Sequence, residues 1–240
     1  LGTTCARVGC MPSKAFIQVA EDYHRRNILH RFGIQGEQGL SLDQAHAMEH
    51  VQDTRDIFVD RVLAGSTDEM GDELIEGYAT FVDAHTLDVE GRTIKADRIV
   101  IATGSTPIIP QAWQGFADRI LTSDTIFELE TLPDSVAVIG LGVIGLELGQ
   151  ALHRMGVKVT GIDQLEFIGG LQDPTANQAA VDAISKEFPL WLGSQADISA
   201  TDNGLTVTAG GQSVEVDRVL LSIGRRPNLE QLGLEKLGVE

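Results

Sequence analysis

Cysteine is nearly missing from this sequence: Cys5 and Cys10 are the only two in 240 residues. So small a supply excludes a disulfide-stapled secreted scaffold, which uses many bridges to replace a small core. Basic residues are also scarce, 18 against 35 acidic ones, and the net charge is -17. A phosphate backbone would be repelled by such a chain, which argues against nucleic-acid partners. No stretch reaches the roughly 18 apolar residues that a membrane helix needs, and no signal-peptide pattern opens the sequence. These absences point to a cytoplasmic globular protein. Its 42% hydrophobic content is enough for one large domain or two modest ones. The acidic stretches "SLDQAHAMEHVQDTRDIFVD" and "STDEMGDELIE" read as solvated helix faces.

What is present is organised by an internal repeat. Residues 91–107, "GRTIKADRIVIATGSTP", align with residues 211–227, "GQSVEVDRVLLSIGRRP", at an offset of 120 (211 minus 91). Gly91 matches Gly211, Asp97 and Arg98 match Asp217 and Arg218, Gly104 matches Gly224, and Pro107 matches Pro227. Each copy closes a run of short alternating strands with a buried-looking apolar strand and a glycine turn. The second copy is preceded by "SVAVIGLGVIGLELGQALHRMGVKVTGID" (135–163), which reads as strand, glycine turn, helix and strand. Nothing before residue 80 supplies an equivalent. Residues 11–70 read instead as two helical stretches, one of them "PSKAFIQVAEDYHRRNILHRF", opened by Pro12. By symmetry the missing unit is expected upstream of Leu1, making the chain an internal piece of a longer protein.

The glycine turn carries the sharpest chemistry. Gly140, Gly142 and Gly145 form G-x-G-x-x-G directly after an apolar strand and directly before a helix. The first glycine allows the tight turn, the second lets a pyrophosphate approach the backbone, and the third lets helix pack on strand. The helix N-terminus adds free N–H groups and positive partial charge. Asp163, at the end of the next strand, is placed to accept from a ribose 2′-hydroxyl and to repel a 2′-phosphate. No Lys or Arg follows it until Lys186. NAD rather than NADP is the expected ligand.

Three roles are open to the two cysteines. A disulfide closing so short a loop would stabilise by roughly 2 kcal/mol at most, and two thiols without histidines at finger spacing make a poor zinc site. The redox role has positive support. Cys10 stands two residues before Pro12 at an expected helix start, and Lys14 follows one turn later; both features favour a thiolate.

With "TTCARVGCMPSK", "ATGSTP", "GLGVIGLELG" and "GRRPN" in this order, the whole chain resembles the class I pyridine nucleotide–disulfide oxidoreductases, which include dihydrolipoyl dehydrogenase, glutathione reductase and mercuric reductase. The resemblance implies an α/β fold of two related FAD/NAD(P)-binding Rossmann-like domains with three-stranded β-meander inserts, the first domain incomplete. Residues 1–107 would be a partial FAD domain carrying the redox disulfide, 108–132 a connector, 133–224 the NAD domain and 225–240 a return toward the FAD domain. Cys10 would face the flavin, and Cys5 would be the interchange thiol. Lys14 would lie against the flavin ring, paired with Glu147. Thr4, Ala79, Thr103 and Gly104 match further FAD contacts, Val143 the position under the nicotinamide, and Gly224 a turn near it. Arg225 and Arg226 read equally well as surface charges.

The family's catalytic base belongs to a partner subunit's C-terminal domain, expected after Glu240, so the parent is expected to be a homodimer. His24, His30, His46, His50, His85 and His153 match no family motif and read as structural or surface residues. "PSK" and Asp163 favour the dihydrolipoyl branch, with a dithiol reducing NAD through the Cys5–Cys10 disulfide and FAD. Thr3 and Arg7 depart from the family pattern and put the lipoyl substrate in doubt. Rival readings are an NAD(P)H-dependent reductase of another disulfide or a metal ion, and a catalytically inactive dinucleotide-binding module. No resident metal is expected.

Overall fold

A computed structural model describes residues 3–238. The chain enters through a short helix, α1 (Thr4–Arg7), whose first turn is capped by Thr3 Oγ1 accepting from Ala6 N at 3.1 Å. Gly9 then lets the backbone fold back tightly, since a Cβ there would lie 2.8 Å from Thr4 O. Helix α2 (Cys10–His24) follows, burying Pro12, Ser13, Phe16 and Ala20. The helical stretch expected to reach Phe32 tightens into a 3-10 turn over Arg25–Phe32, because that polar segment buries nothing to hold it against the core. Helix α3 (Gln44–Ala64) is capped by Asp43 and turns Ala47, Met48, Val51, Arg55 and Val59 inward; the one-turn α4 (Thr67–Met70) ends the helical region.

Three strands then form an antiparallel meander, β1 (Ala79–Asp83), β2 (Thr86–Val89) and β3 (Arg92–Lys95). After β4 (Ser105–Pro107) and β5 (Ile120–Leu121) comes β6 (Ser135–Ile139), whose apolar run is buried on both faces, as a central parallel strand requires. Helix α5 (Val143–Arg154), β7 (Lys158–Ile162), α6 (Pro174–Ile184) and β8 (Leu190–Trp191) follow. A second meander, β9 (Asp197–Ala200), β10 (Leu205–Ala209) and β11 (Gln212–Val216), leads to β12 (Arg218–Leu221) and β13 (Arg225–Pro227). The parallel sheet has the order β5-β12-β6-β7-β8. Its connections leave β6 in opposite directions, so a crevice opens between the ends of β6 and β12, where this fold class binds ligands. Helices α2 and α5 share one core, in which Phe16 and Ala20 join Leu148, Leu152 and the sheet residues Val136 and Val138. Phe16 also meets Phe127 edge to face, centroids 6.2 Å apart. Among the described residues, no helix is long and apolar enough to cross a membrane.

The 120-residue repeat is visible as two meanders, and its ends join. Strands β4 and β13 pair antiparallel, Ser105 with Pro227, Thr106 with Arg226 and Pro107 with Arg225. Beyond each end, Ile108 N donates to Gly224 O and Asn228 N to Gly104 O, both at 3.0 Å. One expectation fails. The apolar run after Asp97 has the pattern of a buried strand like its counterpart β12, yet residues 98–104 form no strand and Val100 is 88% exposed. Strand β12 lies between β5 and β6, which satisfy both its edges. No strand flanks residues 98–104 among the described residues, and an apolar run without a partner cannot form a ladder.

A polar cluster buttresses the shared core from outside. Arg154 bonds Glu187 through Nε at 2.9 Å and Nη2 at 2.8 Å, and reaches across to Glu21 on α2. Burial disfavours a charged Glu187, but bonds from Arg154 and Gln150 outweigh it and hold the carboxyl below the ordinary 4.5. Beside it His153 packs on Phe188, and burial pushes the imidazole below the ordinary 6.5. On acidification the unfolded chain takes up a proton at His153 before the folded chain does, so stability begins to fall near pH 6.5. The depressed Glu187 contributes stability above its unfolded value, and that share is lost as pH falls from about 4.5 through the folded value. Melting temperature followed against pH should therefore decline in two steps. His153→Leu should erase the upper step alone; an unaltered curve would contradict the assignment.

Candidate active site

The three motif glycines meet three different demands. Gly140 has φ +93°, and a Cβ on it would lie 2.7 Å from Ser222 O on the neighbouring loop. A Cβ on Gly145 would lie 2.0 Å from Gly140 O, so only glycine lets α5 start this close to the strand. A Cβ on Gly142 would meet nothing within 4 Å. The space above Gly142 is thus a cradle that a side chain would fill. Asp163 steadies the turn: its Oδ2 accepts from Leu141 N at 2.6 Å and its Oδ1 from Leu165 N at 2.9 Å. Each carboxylate oxygen keeps further acceptor capacity.

A cavity of about 800 Å³ opens over this turn, bordered by Gly140, Gly142, Asp163, Gln195, Asp197 and Trp113. No lysine or arginine among the described residues lines it. A second cavity, about 250 Å³, shares Gly142 and Ser222 with the first and is bordered by Val143, Gly224 and Arg225. Val143, the first residue of α5, is 60% exposed there.

Cys10 stands one cavity further along, and Cys5, beside it, lines none of these cavities. Cys5 in α1 and Cys10 at the first position of α2 are both free and exposed. A hydrogen bond with the Cys10 side chain, followed by desolvation and the charge of Cys10, raises the pKa of Cys5. One turn into α2, Lys14 Nζ donates to Glu147 Oε1 at 2.7 Å, with the two side chains 59% and 37% exposed. Cys10, Lys14 and Glu147 border a cavity of about 310 Å³ with the apolar side chains Phe127, Ile144 and Leu148. Ile144 and Arg225 also border the 250 Å³ cavity, so the two adjoin. A fourth cavity, about 490 Å³, continues from Thr4 and Val8 to Arg7, Thr103, Gly104 and Asn228.

Thr4, Cys10, Lys14, Thr103, Gly104, Gly140, Gly142, Val143, Glu147, Asp163 and Gly224 therefore lie along one chain of cavities. Ala79 begins β1 away from all four, and Gly145 acts by packing. Two residues carry more in the structure than their sequence context shows. Arg225 is no surface charge: it donates to Ser105 Oγ at 2.9 Å, Ser105 O at 2.7 Å, Ser123 Oγ at 2.7 Å and Asp124 Oδ1 at 2.6 Å. The Asn228 main-chain carbonyl accepts from Thr103 Oγ1 at 2.6 Å, and its Nδ2 donates to Thr103 O at 3.1 Å. The signal was the motif "GRRPN" itself, standing opposite "ATGSTP" in the repeat. Among the described residues no three His, Cys, Asp or Glu side chains gather as a metal site.

A glycine turn at a parallel-sheet switch point, joined by adjoining cavities to a thiol pair at a helix start, defines a dinucleotide-fold redox protein. The profile described as "Pyridine nucleotide-disulphide oxidoreductase" matches residues 1–240, and the chain belongs to that family. It is 32% identical to a mercuric reductase of Lysinibacillus sphaericus, covering 100% of this chain and 45% of that protein. It is 34% identical to a dihydrolipoyl dehydrogenase of Geobacillus stearothermophilus, covering 100% of this chain and 53% of that one. The chain thus spans about half the length of these curated relatives. Among solved structures, LpdA of Mycobacterium tuberculosis superposes with TM-score 0.81 at 26% identity over 100% of this chain and 54% of its own. The Cu(II) complex of the flavoprotein disulfide reductase RclA of Escherichia coli gives TM-score 0.80 at 21% identity, a likeness of fold, over 100% of this chain and 52% of that one.

The glycines supply a sharp contrast for testing. Gly145→Ala should lose about 2–3 kcal/mol of stability through overpacking. Gly142→Ala, whose backbone φ of -66° suits any residue, should stay within about 0.5 kcal/mol of the parent. Urea unfolding reads both, and equal losses would contradict the assigned roles.

Proposed function

We propose that this chain carries the disulfide centre and dinucleotide site of a flavin-dependent disulfide oxidoreductase that passes two electrons from a dihydrolipoyl-type dithiol to NAD. The observation that carries the reading is the Lys14–Glu147 bond. It ties the helix starting at Cys10 to the helix starting at Val143, so the thiol cavity adjoins the cavity at the glycine turn. The walls there fit a flavin: Phe127, Ile144 and Leu148 suit a flat aromatic ring, and the Lys14 ammonium at the rim suits an acceptor on it. When bound, FAD supplies a two-electron relay between the thiols and nicotinamide.

The chain's own residues do the thiol chemistry. With Cys5 and Cys10 joined as a disulfide, a substrate thiolate attacks Cys5 sulfur, forming a mixed disulfide and releasing Cys10 as thiolate. The second substrate thiol then attacks its partner sulfur, leaving as a cyclic disulfide and returning Cys5 as a thiol. The raised pKa of Cys5 supports its keeping that proton. Lys14, one turn from Cys10, offsets the thiolate charge, and Glu147 positions Lys14. For the dinucleotide, Asp163 and Asp197 at the rim of a cavity with no Lys or Arg lining it among the described residues support NAD over NADP. The reading includes a homodimeric, cytoplasmic full-length protein. A second reading, NAD(P)H-driven reduction of a thiol-bound metal ion, is supported by the likeness to mercuric reductases.

The full-length gene product, assayed with dihydrolipoamide, should reduce NAD in preference to NADP, and Cys10→Ser should lower that rate at least about a thousandfold. Retained turnover in Cys10→Ser would overturn the thiol assignment. A preference for NADP would overturn the role of Asp163, and Hg(II)-dependent NADPH oxidation without dihydrolipoamide activity would favour the second reading.

A further inference from the structure

We infer that Trp113 is the adenine-stacking wall of the dinucleotide site, a contact supplied by the connecting segment outside the glycine motif. The inference rests on the NAD reading above and deepens it. Trp113 belongs to the 3-10 segment Gln111–Arg119, held by Trp113 N donating to Pro110 O at 2.9 Å. The side chain is half-buried. Part of it packs on the core cluster that holds Ile139, Ile162 and Ala196, and the rest borders the 800 Å³ cavity. The chain has two tryptophans, and Trp191 does not border this cavity; its carbonyl accepts from Asp163 N at 2.9 Å on the neighbouring strand.

The geometry decides which base meets Trp113. The cavity holding Asp163 and the cavity at Val143 share only Gly142 and Ser222 among their lining residues, so they meet at the open cradle. A dinucleotide whose pyrophosphate lies over Gly142 therefore has one half in each cavity. The half whose ribose meets Asp163 carries adenine, and its base must enter the remainder of the larger cavity. That remainder is lined by Pro110, Ala112, Trp113, Gln195 and Asp197. A purine is apolar on its faces and polar at its edges. Trp113 offers an aromatic face, and the amides of Gln164 and Gln195, which also border the cavity, offer donors and acceptors to the edge.

Tryptophan fluorescence tests this directly on the full 240-residue chain. NADH and ADP-ribose should both quench the tryptophan emission, whereas nicotinamide mononucleotide, which lacks adenine, should not. Trp113→Leu keeps apolar bulk but has no aromatic face; it should bind NADH about tenfold more weakly and lose most of the quenching. Trp113→Phe should stay within about threefold of the parent. NADH affinity in Trp113→Leu equal to the parent's, or quenching by nicotinamide mononucleotide equal to that by ADP-ribose, would overturn the inference while leaving the NAD reading intact. Failure of the unaltered chain to bind NADH would overturn both. If Trp113→Leu does not fold, the three-ligand comparison on the unaltered chain decides alone.

Discussion

Packing of α2 against α5 is the contact from which the site follows. The helix that starts at Cys10 and the helix that follows the glycine turn bury side chains in the same core, with Phe16 and Ala20 contributed by one and Leu148 and Leu152 by the other. Two ionic links flank that core at corresponding points. Lys14 meets Glu147, and seven residues further along each helix Glu21 meets Arg154. The exposed first link contributes little stability by itself, so its value lies in position. It sets where the Lys14 ammonium stands relative to Cys10 and to the first turn of α5. Arg154, more buried and bonded also to Glu187, anchors the far end. Apolar burial supplies the energy, and the ion pairs fix the alignment.

The glycine turn depends on a different economy, that of close approach. Gly140 and Gly145 are required because the β6–α5 turn presses on the loop after β12, where Ser222 Oγ donates to Gly140 O at 2.5 Å. Only Gly142 faces open space. Asp163 has two tasks there. It accepts from the turn's own backbone and still borders the cavity, so it shapes the site as well as contributing charge.

These features differ in how legible they were. The glycine turn and the strand–helix–strand around it were readable because every contact involved is local in sequence. The helix starting at Cys10 was readable for the same reason, through Pro12 and the apolar spacing beyond it. The Lys14–Glu147 pair spans 133 residues and was legible only through the family resemblance. The role of Arg225 is not legible locally, because its partners Ser105, Ser123 and Asp124 lie 101 to 120 residues away and nothing local distinguishes a buttressed guanidinium from a solvated one. The run after Asp97 misleads because an apolar segment reports that it wants a partner, not whether one is beside it. Trp113 lay in a connector with no motif at all, and only the cavity revealed what it borders.

The pairing of β4 with β13 has one more consequence. Thr106 faces Arg226, its own counterpart in the repeat, and the bonds Ile108 N to Gly224 O and Asn228 N to Gly104 O exchange when residue numbers are shifted by 120. The two halves of the chain therefore meet about a local dyad, in the isologous geometry by which identical subunits associate. Gly104 and Gly224, one bordering the cavity at Thr4 and the other the cavity at Val143, each accept the bond that the other's strand donates. The two cavity-facing turns are thus held by one reciprocal set of backbone bonds, so neither is fixed without the other.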